Sequence, residues 1–147
     1  MKNKGFSLVE LIIVIAIMAI LAGALAPALI KYINKSRLSV EIETGGAIGR
    51  TIMEAVTNDK AYADADEQSN PIDVNLMSGP DFKEEVFRSL GVTQLSGKAK
   101  KDINGNALDR KFYYTLDSAR NKVEVYYGGT SSDYLVFPGT GSNLTQD

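Results

Sequence analysis

Between Leu11 and Ile30 the chain carries no charge, behind a lone acid at Glu10 and a short basic leader. As a helix, that run of 20 residues spans roughly 30 Å at about 1.5 Å per residue, the thickness of a bilayer's hydrocarbon core. Beyond Lys31 the apolar positions narrow to one stripe. Leu38 and Ile42 lie on it, then Ile48, Ile52 and Val56 at i, i+4 steps. Lys31, Lys35 and Arg37 form a basic collar, while Glu41, Glu43, Arg50, Glu54 and Asn58 fall on other faces. The spacing predicts one long helix to about Asn58. It runs through Thr44-Gly45-Gly46 and Gly49, although a mid-helix glycine costs about 1 kcal/mol against alanine. Close packing of a sheet or a neighbouring chain on those glycines would explain them.

The pattern then changes. Residues 59–75 are acidic and alanine-rich and read as a surface loop, with Asp64, Asp66 and Glu67 as solvated acids rather than metal ligands. Ser78-Gly79-Pro80-Asp81 is a helix start, with Phe82, Val86, Phe87 and Leu90 as the buried stripe and Gly91 as the stop. That predicts a short second helix over 80–90. Lys98, Lys100 and Lys101 read as a solvated loop or edge strand ahead of Asp102-Ile103-Asn104-Gly105-Asn106. A calcium loop there fails on spacing: glycine stands fourth, and Tyr113 occupies the twelfth place. A turn is the better reading.

Alternation then predicts strands. Phe112, Tyr114 and Leu116 alternate with Tyr113 and Thr115. Val123, Val125 and Tyr127 alternate with Glu124 and Tyr126, and Tyr134 to Phe137 pairs last. Short loops imply an antiparallel meander of three or four strands whose apolar face covers the Ile48, Ile52, Val56 stripe. Residues 128–133 read as a flexible connector. Pro138 stops the sheet, and residues 139–147 read as a polar tail, loose at its end. Asn143-Leu144-Thr145 matches a glycosylation sequon by pattern alone.

Composition narrows the chemistry. The chain has 147 residues, a net charge of −2, no cysteine and no histidine. Ser-His-Asp and Cys-His nucleophilic sites and the usual zinc sets are therefore absent, and an enzyme is not expected. No disulfide can hold the globular part together, so packing and hydrogen bonds must. No metal, cofactor or nucleic acid is expected.

The front edge of the apolar run is the distinctive part. Lys4-Gly5-Phe6-Ser7-Leu8-Val9-Glu10 resembles the class III signal of type IV pilins. The resemblance implies that a prepilin peptidase cuts after Gly5 and methylates Phe6, and that Glu10, Phe6 and Pro27 serve assembly. Pro27 falls where major pilins of this family commonly carry a proline. Gly23 and Pro27 weaken the helix, so a kink at 23–27 is expected, and the resemblance implies local melting there in assembled pili. Ala16, Ala19, Ala22, Gly23 and Ala26 permit close helix approach. The Asp102-to-Asn106 segment resembles one preceding the sheet in many pilins, without its usual aromatic. The missing cysteines depart from many Gram-negative pilins and fit clostridial or other Gram-positive ones. Ala24-Leu25-Ala26 imitates a secretory cleavage site, but Pro27 would follow the cut and the apolar run is too long.

The expected fold is α+β: a long N-terminal helix packed on a small antiparallel sheet. The expected organisation is a leader (1–5), a transmembrane and filament-core helix (6–30), its amphipathic half (31–58) and a globular head (59–147). The implied function is a pilus subunit, held single-pass in the cytoplasmic membrane and then polymerised into a surface filament for motility or adhesion. Its implied partners are copies of itself, the prepilin peptidase and the pilus assembly machinery. Two rivals share features: a pseudopilin of a type II secretion or competence system, and a single-pass anchored binding protein.

Overall fold

In a computed structural model the structure describes residues 6–145. The chain divides into two compact units, Met1–Ile33 and Asn34–Asp147. Helix α1 runs as one element from Leu8 to Ala55, with Gly23, Pro27 and the Gly45-Gly46 pair inside it. Helix α2 (Asp59–Asp64), strand β1 (Gln68–Asp73) and helix α3 (Pro80–Leu90) follow. Then come β2 (Phe112–Leu116), β3 (Val123–Tyr127) and β4 (Leu135–Phe137). The four strands form one antiparallel sheet in the order β1-β2-β3-β4, the meander that short connections favour.

In the second unit the core is one cluster. Leu38, Ile48, Ile52 and Ala55 of α1 meet Phe82 and Val86 of α3 and the inward residues of the sheet. Phe112, Tyr114 and Leu116 on β2 are almost fully enclosed, as are Val123, Val125 and Tyr127 on β3. Burying each large apolar side chain contributes about 1.5–3 kcal/mol. Phe112 and Tyr127 are direct partners in the ladder, their rings 4.9 Å apart.

The helix glycines have a specific use. A Cβ at Gly45 would overlap Val136, and one at Gly49 would overlap the Phe137 ring. Strand β4 lies against the helix where α1 has no side chains to hold it away.

Several expectations need correction. Residues 59–75 are not a loop but α2, β1 and a 3₁₀ turn, Val74–Leu76. The Asn58 side chain caps α2, its oxygen accepting from the N–H of Lys60 at 3.1 Å. Alanines bury this segment: Ala61 and Ala65 are enclosed but too short to show as an apolar stripe. Polar β1, with Pro71 inside it, sits at the sheet edge, where a missing N–H is tolerated. The helix over 80–90 is therefore the third, not the second.

Glu41 does not decorate an exposed face; it is 4% exposed. Tyr126 points away from the core side yet is buried, its hydroxyl donating to Glu124 Oε2 at 2.6 Å. Tyr134 belongs to a 3₁₀ turn over Ser132–Tyr134, so β4 begins at Leu135 and residues 128–133 are not wholly irregular.

The tail, finally, is tied down through Leu144. That side chain is 3% exposed and joins the core. The N–H of Gly141 donates to the Leu135 carbonyl (2.8 Å), Asn143 to Asp133 (3.0 Å), and Ile103 to Asn143 (3.1 Å). Residues 146–147, where looseness was expected, lie outside the described residues.

Candidate assembly segment at the N-terminus

Large apolar side chains from Phe6 to Ile30 are exposed ahead of α1 and along its first stretch, Phe6 by 75% and Ile20 by 71%. Among the described residues α1 is the one helix long and apolar enough to cross a membrane. An unbroken apolar surface of this extent marks contact with lipid or with other protein.

The predicted site residues are spread along this surface. Gly5 lies outside the described residues. Phe6 precedes the helix and Glu10 stands in its first turn, both exposed. Glu10 Oε2 accepts the N–H of Ser7 at 2.8 Å, and the Ser7 carbonyl accepts from Leu11 at 3.2 Å. This is half of a capping box, and it sets a negative charge at the positive end of the helix dipole. Gly23 and Pro27 lie within the continuous helix, Pro27 roughly 25 Å from Glu10 at about 1.5 Å per residue. A Cβ at Gly23 would meet nothing within 4 Å. Spread along one exposed helix, they suit a lengthwise interface.

Three buried or capping acids went unpredicted. Glu41 Oε1 accepts the N–H of Lys98 and that of Ala99, the latter at 3.2 Å. Tyr127 donates its hydroxyl to the Ala99 carbonyl at 2.7 Å, so both polar groups of Ala99 are held. Burial, and then the Glu41 charge, push the Tyr127 hydroxyl well above the ordinary tyrosine range. Asp102 is buried and accepts from the N–H groups of Asn104 (2.9 Å) and Asn106 (2.8 Å), closing the predicted turn. Asp64 Oδ2 accepts from Asp81 N–H at 2.7 Å and so caps α3 from a distant position.

A signal for Glu41 was present. Leu38, Glu41, Gly45, Ile48, Ile52 and Ala55 recur at steps of three and four, and all six are buried. Nothing local marks Asp64, whose partner lies 17 residues onward.

The apolar start of the helix and its capped acid fall within a known sequence motif. The family model described as the prokaryotic N-terminal methylation motif matches residues 1–26. Two curated relatives, both named type IV major fimbrial protein FimA, come from Dichelobacter nodosus strain VCS1703A and from Dichelobacter nodosus. Each is 28% identical over 134 residues, covering 90% of this chain and 72% of the relative. The motif and this similarity support a type IV pilin, and the long helix with its four-stranded sheet fits the pilin fold. No solved structure matches significantly.

Proposed function

We propose that this chain is the structural subunit of a type IV pilus, made as a prepilin. In this reading a prepilin peptidase removes residues 1–5 after Gly5 and methylates the new amino terminus at Phe6. Residues 6–30 hold the subunit single-pass in the cytoplasmic membrane and later line the filament core. Residues 31–58 link that core to the head, 59–147, which faces outward on the cell surface. The observation that carries the reading is the exposed apolar stretch Phe6–Ile30, most of which lies within the matched methylation motif, residues 1–26.

Glu10 supplies the register. When the helices bundle, a buried carboxylate without a partner is expensive. Cleavage at Gly5 creates an ammonium at Phe6, and the ammonium of a neighbouring copy is a natural partner. One buried polar pair per subunit fixes axial alignment, as it does in coiled coils. Gly23 and Pro27 then mark where the helix gives way when the filament is stretched. The relatives' printed name, major fimbrial protein, favours a long surface filament over a pseudopilin.

Electron microscopy of cells with and without the gene tests this reading. Filaments that vanish with the gene and return on complementation are expected. Unchanged filaments would refute it.

A further inference from the structure

The Asn34–Asp147 unit carries opposite charge at the two ends of its α1 segment. At one end the segment 97–101 runs beside α1: the Asn34 amide donates to the Lys101 carbonyl at 3.0 Å, and Glu41 holds Lys98 and Ala99. Residues 107–110 lie antiparallel to it, Gly97 donating to Arg110 and Leu108 to Lys100. Lys98, Lys100, Lys101 and Arg110 are exposed, and none forms an ion pair among the described residues. Asp109, the exposed acid in this stretch, accepts from the Lys111 N–H and the Tyr113 hydroxyl.

At the other end, just past Ala55, an open groove of about 680 Å³ is lined by Thr57, Asn58, α2 and α3. Its walls carry Asp59, Asp81, Glu84 and Glu85 against Lys60 and Arg88. Arg88 is already engaged with Glu85. From Asn34 to Ala55 the helix advances roughly 30 Å, so the two fields neither neutralise nor screen one another within the unit.

Resting on the reading as a pilus subunit, we propose that the lysine margin of one copy docks on the acidic groove of the next. Copies stacked in parallel along α1 bring a basic end against an acidic end. That contact is head-to-tail and does not close on itself, which is the condition for an open helical polymer. Like charges would meet in an antiparallel stack, so the pattern also selects polarity.

Charge reversal in the full-length chain, expressed in cells that make the filament, tests the interface. Lys100→Glu with Lys101→Glu, and separately Asp59→Lys with Glu84→Lys, should each lower sheared filament protein about tenfold. The chain carrying all four changes should recover to within about threefold, a rescue that misfolding would not produce. Filaments unaffected by either reversal, or no recovery in the combined chain, overturn the interface while leaving the pilus reading intact. Absence of any filament from the unaltered chain sinks both. Loss of binding to a short DNA duplex in the lysine variant, with filaments unchanged, would make the margin a polyanion surface instead.

Discussion

The Glu41 carboxylate on the long helix accepts the backbone N–H of Ala99, 58 positions further along the chain. It is a buried acid doing the work of a strand partner, since residues 97–101 have no ladder against α1. Replacing it with alanine strands two N–H groups, one of them buried. Glu41→Ala should therefore lose about 2–4 kcal/mol of stability. Glu41→Gln keeps an acceptor oxygen and should lose less. Thermal unfolding of the full chain in detergent, followed by circular dichroism, ranks the two.

Two glycines in the same helix should respond oppositely to alanine. At Gly49 the new methyl overlaps Phe137, so Gly49→Ala is expected to destabilise by about 1–3 kcal/mol despite its better helix propensity. At Gly23 nothing stands in the way, and Gly23→Ala should strengthen the helix by about 1 kcal/mol. Hydrogen exchange along residues 20–30 should slow in that variant.

Alkaline pH should loosen the head through its tyrosines. Burial first, then bonds to Asp109 and Glu124, push Tyr113 and Tyr126 from 10.0 up to about 12. Burial and the Asp66 charge push Tyr114 to about 12. The folded protein thus keeps protons that the unfolded chain gives up. Stability from these groups is fully present below pH 10 and drains away as pH rises towards 12. A denaturant midpoint that falls across this window, with tyrosinate absorbance appearing at the same pH, is the expected result.

Much of this architecture was legible in advance because it rests on periodicity. The 80–90 helix and strands β2 and β3 each repeat a spacing that one backbone geometry satisfies, and the apolar run is read from its length. Strand β1 was hidden because Gln68-Ser69-Asn70-Pro71 has neither alternation nor bulk; it pairs through its backbone at an edge. Glu41 reads as a surface residue by its charge, yet by position it falls on the same stripe as Leu38 and Ile48. The tail looked free because one leucine, Leu144, anchors it through contacts distant in sequence. Phe6, Glu10 and Pro27 are readable as a motif, but the assembly role proposed for them concerns neighbouring copies, which a single chain does not contain.

Glu10 should matter to the polymer and not to the monomer. In the single chain its visible task is to cap Ser7, a contact whose loss costs about 1 kcal/mol at an exposed helix end. Glu10→Ala is therefore expected to insert in membranes at wild-type levels while yielding few filaments. Membrane fractionation beside a shear assay reads both quantities. Abundant filaments from that variant would remove the register role assigned to the acid.

The most direct test of the central claim is the mass of the N-terminal peptide from filaments sheared off the cell. A chain that begins at Phe6 and is heavier there by one methyl group is expected. A surface protein still carrying Met1 to Gly5, found only as single molecules in the membrane, would contradict it.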